Sequence, residues 1–122
     1  MIWRWEFFTP GEVLSPAGLE QWKRGNFLIQ PFALDCLQAF RRELRRPFLV
    51  NFGRLSLRGY RSPVENNKIG GAHFSRHVQG IAFDVTVEGF TPGEVAERAR
   101  AFGWGFVLPY EEQNFTHIDL RP

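Results

Sequence analysis

The heptapeptide IAFDVTV, residues 81–87, alternates bulky apolar side chains with small or polar ones at a period of two, the mark of a half-buried β-strand. Successive side chains of an extended chain point to opposite faces. Ile81, Phe83, Val85 and Val87 therefore share one face, and Ala82, Asp84 and Thr86 share the other. The first face must pack against a core, so the carboxylate of Asp84 has to look out from the far side of the sheet. The run FTHIDL, residues 115–120, follows the same rule: Thr116, Ile118 and Leu120 turn inward, while Phe115, His117 and Asp119 turn outward. If the two strands are neighbours, Asp84 and His117 converge. His77, in the loop entering the first strand, then reaches the same point.

The remaining pattern is mixed. TPGEVLS places Thr9 as an N-cap, Pro10 at the first helical position and Glu12 to close a capping box, and TPGEVAERARAFG repeats the device with Thr91, Pro92 and Glu94. A third helix is expected from about Pro31 to Arg46, with Phe32, Cys36, Leu37, Phe40 and Leu44 at helical spacing and Pro47 preventing its continuation. Its other face carries Arg41, Arg42, Arg45 and Arg46, a solvated face near the negative end of the helix dipole. Further strands are expected at FLVNF (48–52), LSLR (55–58) and GFVL (105–108). The stretch from Gly59 to Gly80, rich in Gly, Ser, Asn and Pro, reads as a long loop, and loops of that length in a compact domain usually carry function. Apart from the two TPGEV starts there is no repeat, low-complexity tract or linker. The expected fold is one small α+β domain over residues 1–122: a central antiparallel sheet with helices on one face and a zinc cleft on the other.

Two histidines and one carboxylate are a recurring ligand set for catalytic zinc, with the fourth position left to water. The single cysteine, Cys36, excludes both a disulfide framework and a cysteine-rich zinc site, so any metal must be held by nitrogen and oxygen. Spacing alone also allows an ordinary pair of surface or supporting side chains, and His73, four residues before His77, is a competing ligand. A formal charge of +2 is mildly basic, which suits an anionic cell-wall partner without requiring nucleic acid. MIWRWEFFTPGE lacks a sustained apolar core, so no export or membrane segment is expected.

RGYRSPVENNKIGGAHFSRHVQGIAFDV, residues 58–85, followed by FTHIDLR, residues 115–121, closely resembles the zinc D-alanyl-D-alanine carboxypeptidase family, a relative of lysostaphin-type endopeptidases and of the hedgehog signalling domain. The GYRSP block, Asn66, the GGA at 70–72, Ser75 with His77, the GxAxD from Gly80 to Asp84 and the FxHxD from Phe115 to Asp119 carry the match, and FFTPGEVLSP extends it toward the N-terminus.

The resemblance implies one zinc ion held by His77, Asp84 and His117. It puts Arg61 where relatives bind substrate or polarise its carbonyl, and Ser75 where they contact substrate. The chain departs from that pattern at the general base. Many members place Glu or Asp three residues before the last histidine, where this chain has Asn114, and Phe115 stands where some have a second histidine. Glu111, six residues before His117, matches the hedgehog spacing and is the expected base, arching over the metal. Asp119 is expected to orient a ligand histidine, with a base role as the alternative.

The implied activity is zinc-dependent hydrolysis of amide bonds in peptidoglycan stem peptides, as in a carboxypeptidase or a phage lysin. The chain would act on the wall as a monomer after synthesis in the cytoplasm, with no nucleic-acid or membrane partner. A zinc-holding but inactive recognition module and an arginine-rich nucleic-acid binder are the rival readings.

Overall fold

In the computed structural model of the chain, residues 2–51 and 57–122 are described. Four strands form one antiparallel sheet: β1 (Phe48–Leu49), β2 (Ala82–Val87), β3 (Phe106–Tyr110) and β4 (Phe115–Asp119), in the spatial order β1-β2-β4-β3. The helices are α1 (Pro10–Val13), α2 (Pro16–Lys23), α3 (Pro31–Leu44), α4 (Pro63–Lys68) and α5 (Pro92–Phe102).

The expected α+β architecture is present, and local chemistry explains its parts. Helix α5 starts at the capping box: Thr91 accepts from the Glu94 N–H and Glu94 reaches back to the Thr91 N–H. It ends at Gly103, whose φ of 111° is the left-handed value that stops a helix. Val95, Ala96 and Ala99 bury its inner face against Ile118, Phe83 and Val85 of the sheet. Helix α3 adds Leu34, Leu37 and Phe40, with Phe40 edge-on to Phe48 and to Trp104. The strand faces fall as the period of two dictates: Phe83, Val85, Thr116 and Ile118 are buried under the helices, and Asp84, His117 and Asp119 lie on the other face. Strand β3 is an edge strand, and Pro109 within it removes a donor from the open side.

Four expectations need correction. The first TPGEV start yields only the four residues of α1, because the chain turns extended at Leu14 and restarts at Ser15, whose hydroxyl accepts from the Gly18 N–H to cap α2. In α3 the inner face begins at Ala33 and Leu34, not at Phe32, which is 56% exposed, and the helix stops at Leu44 because Arg45 is left-handed. The segment 59–80 is not all loop: Ser62 and Glu65 form a third capping box and start α4. Strand β1 is only two residues long. Half of the expected strand at 55–58 lies outside the described residues, as does Phe52; Leu57 and Arg58, which are described, are not in a strand.

The arginines of α3 are partly committed within the chain. Arg41 donates to the Phe7 carbonyl and Arg42 pairs with Glu6, tying the helix to the N-terminal segment. No helix among the described residues is long and apolar enough to cross a membrane.

Gly59 passes so close to Val13 that a Cβ there would overlap the Val13 carbonyl oxygen, while its neighbour Tyr60 exchanges backbone bonds with Val13 and Ser15. The neighbouring group is backbone and cannot rotate away. Gly59→Ala is expected to destabilise the fold by about 1–3 kcal/mol, the range for overpacking a filled site, read as a lowered urea midpoint with unchanged m-value.

Candidate metal centre

Asp84 and His117 are direct cross-strand partners in the β2–β4 ladder, so the sheet register itself brings them together. His117 Nδ1 lies 2.9 Å from Asp84 Oδ1. His77 arrives from the turn before β2 and sets its Nε2 3.3 Å from the same oxygen. That turn closes at Gly80, whose φ of 77° and tight approach to the Leu28 carbonyl suit glycine alone. His77 and Asp84 are buried at 4% and 8% exposure, and His117 is half-buried.

The tautomers follow from the partners on the far side of each ring. His77 Nδ1 is 2.9 Å from the Gly59 carbonyl oxygen, which can only accept, so this nitrogen carries the hydrogen. His117 Nε2 is 2.7 Å from Asp119 Oδ2, a carboxylate oxygen, so it too carries a hydrogen. The lone pairs of His77 Nε2 and His117 Nδ1 are thus turned toward Asp84, and three ligand atoms lie within 4.8 Å of one another. Acceptors facing one another in a buried place repel unless a cation or a proton sits among them, and the donor set of two imidazoles and a carboxylate suits zinc. Without a metal the proton takes that place. Burial opposes charge on His117, yet hydrogen bonds to Asp119 and Asp84 push its pKa up to about 9. Asp84 is likewise opposed by burial, but the charge of His77 and the bond from His117 hold it well below the usual carboxylate range.

The triad lies in a cleft of about 430 Å³. Arg61 and Ser75 both line it. Arg61 is fixed by Nε to Asn66 Oδ1 (2.9 Å), by Nη1 to the Leu57 carbonyl (3.0 Å) and by Nη2 to Ser75 Oγ (3.4 Å). Ser75 Oγ also accepts from the His77 N–H, so it caps the turn that presents the histidine. Asp119 is fully buried beneath His117. Exposed His73 packs edge-on to Phe74, and it is not part of the triad.

Glu111 is not where the sequence reading put it. It is exposed, its Oε1 lies beside Gly93 in the first turn of α5, and it does not line the cleft. The cause is the hairpin: residues 111–114 make the turn between β3 and β4, closed by Asn114 N–H to the Glu111 carbonyl, which leaves no arch over the triad. Asn114 occupies its place with φ of 57°, a left-handed position that asparagine tolerates. Asn66, singled out by the resemblance, anchors Arg61. Two supporting residues had no role assigned from the sequence, Gly59, whose carbonyl holds His77, and Arg121, which grips Asp119, although both lie in the matching runs GYRSP and FTHIDLR.

His77→Ala, Asp84→Ala and His117→Ala are each expected to lower bound zinc from about one per chain to near zero, by metal analysis after dialysis. After chelation, His117 stabilises the folded chain through its raised pKa. That contribution is whole below about pH 6.5 and is lost as the pH rises through about 9. The melting temperature of the metal-stripped protein is expected to fall across that window, and His117→Gln to remove this part of the slope.

The peptidase M15 family model matches residues 8–119, which takes in every helix and strand described and all three triad residues. No curated protein matches the chain. Peptidases of this family are zinc-dependent, and the His77, Asp84 and His117 group is one that can hold the metal. Since the match spans nearly the whole chain, this protein belongs to the peptidase M15 family.

Proposed function

We propose that the chain hydrolyses amide bonds in peptidoglycan stem peptides with zinc as its metal, either trimming a terminal D-alanine or cutting within the stem. The observation that carries this reading is the convergence of three ligand lone pairs inside a cleft whose other charged lining is cationic. Arg61, Arg76 and Arg121 line it, and among the described residues Asp84 is its only carboxylate. A peptide bearing free carboxylates beside its scissile bond fits such walls, and Phe74, Phe106 and Tyr110 offer apolar contact for its backbone and methyl groups.

Held by this set, zinc supplies Lewis-acid polarisation of a carbonyl and lowers the pKa of water. The chain's own groups do the rest. Arg61, immobilised by three partners, presents a fixed cationic fork to a substrate carboxylate or to the oxygen on which negative charge develops. Asp119, saturated by hydrogen bonds from His117 and Arg121, holds the imidazole rather than accepting a substrate proton. That no carboxylate other than Asp84 lines the cleft among the described residues favours one rival, a metal-holding module that recognises wall peptides without cutting them.

Release of peptide or D-alanine from purified peptidoglycan decides between the two: stoichiometric zinc without any product selects the recognition module. If the protein is an enzyme, Arg61→Lys is expected to lower turnover by roughly ten- to a thousandfold with zinc retained, the scale for a lost oxyanion donor. Glu111→Gln is expected to keep near wild-type turnover, because its carboxylate lies by α5. A dead Glu111→Gln variant with zinc intact would return Glu111 to the role of base.

A further inference from the structure

We propose that Arg121 is a positioning residue of the metal centre. It clamps Asp119, through Asp119 it fixes the ring of His117, and so it sets metal affinity without touching the metal. Arg121 lies beyond the stretch matched by the family model, which ends at Asp119.

Asp119 is fully buried, and a buried carboxylate persists only if its oxygens are satisfied. Arg121 supplies nearly all of that. Its backbone N–H and Nε each reach Oδ1 at 3.0 Å, Nε also reaches Oδ2 at 3.1 Å, and Nη2 reaches Oδ2 at 2.6 Å. The planar fork thus fixes the plane of the carboxylate as well as its place. Among the described residues the one other donor to the carboxylate is His117 Nε2, at 2.7 Å on Oδ2. Whatever sets the plane of Asp119 therefore sets the direction in which His117 Nδ1 points.

Arg121 is itself held. Its guanidinium stacks 4.0 Å over the ring of Phe106, and Phe106 is the cross-strand partner of Asp119 in the β3–β4 ladder. The backbone beneath is tight as well, since a Cβ on Gly105 would overlap the Arg121 carbonyl oxygen, and the Gly105 N–H donates to the Asp119 carbonyl. An exposed ion pair contributes little, but here the anion is buried and the cation covers it. Arg121 also lines the cleft, so its loss opens Asp119 to water.

The inference rests on the metal-centre reading, and the experiment separates the two. Arg121→Lys is the informative change: it keeps the charge and loses the fork, so an altered zinc affinity reports orientation and not field. Zinc Kd is measured by competition with a chromophoric chelator, the visible spectrum of the cobalt-substituted protein reports ligand geometry, and the melting temperature of the metal-stripped chain reports the fold.

Arg121→Lys is expected to weaken zinc binding by about tenfold, the lower end of the range for lost supporting partners, and to shift the cobalt bands with the metal-stripped melting temperature little changed. Asp119→Asn is expected to weaken it by about 10- to 100-fold, and Arg121→Lys added to it to do nothing more. Guanidinium at tens of millimolar is expected to restore part of the affinity to Arg121→Ala. Wild-type Kd and spectrum in Arg121→Lys overturn the inference alone, as does full additivity with Asp119→Asn or a matching collapse of the metal-stripped fold. Failure of the wild-type protein to bind zinc overturns it together with the metal centre.

Discussion

The pairing of Asp84 with His117 across β2 and β4 is the constraint on which the rest of the structure depends. A slip of one residue would turn Phe83 and Ile118, both wholly buried, toward water and drive Asp84 and His117 into the helix layer. The register that protects the core is therefore the register that builds the site. Polar contacts reinforce it at both ends of the β4 approach. Thr116 Oγ1 donates to the Pro92 carbonyl at the start of α5, and Thr86 Oγ1 donates to the Asn114 carbonyl in the hairpin turn. Helix α5 thus holds β4 by backbone acceptor as well as by apolar packing.

Around that pair the chain buries several polar groups. His77, Asp84 and Asp119 are each less than one-tenth exposed. In the row from the Gly59 carbonyl through His77, Asp84, His117 and Asp119 to Arg121, each group lies within 3.3 Å of the next. Such a row rigidifies only when complete, because an unpaired buried charge costs several kcal/mol. A similar arrangement fixes the wall of the cleft. Glu65, half-buried against the start of α2, accepts from Ser15 Oγ at 2.6 Å and from the Ala17 and Ser62 N–H groups; burial alone would raise its pKa, yet these bonds hold it below the ordinary value. Asn51, also buried, donates to the Gly11 and Leu14 carbonyls and accepts from the Arg58 N–H.

What was legible in the sequence is what depends on short-range periodicity. The alternation in IAFDVTV and FTHIDL gave the strand faces, and hence the side of the sheet on which Asp84 and His117 would meet. The TPGEV motif gave both helix starts, because a capping box is written within four residues. Contacts over long separations were hidden. Ser15 restarts the helix by a local cap on Gly18 with Pro16 after it, but its bond to Glu65, 50 residues away, is announced by nothing near it. Phe32 fits the helical spacing of α3 as well as Leu34 does, and only the placement of α3 against Phe48 and Trp104 decides which is inside. The place of Glu111, beside Gly93 and away from the cleft, was hidden for a related reason. A spacing of six residues fixes how far a side chain can reach, but not on which side of a sheet the intervening turn will leave it.

Asn114 shows how backbone geometry competes with chemistry at a single position. It ends the four-residue turn that joins β3 to β4, and it does so in the left-handed region, with φ of 57°. A β-carbon in that region costs roughly 1–2 kcal/mol unless the residue is glycine or a short polar one such as Asn or Asp. Glutamate, three residues before the last histidine, would meet that cost. The β3–β4 hairpin therefore disfavours glutamate at this position, though not aspartate, and with Asn114 here the organisation of the cleft falls to groups outside the turn: Arg61 on the 59–80 segment and the Asp119 and Arg121 pair at the end of β4.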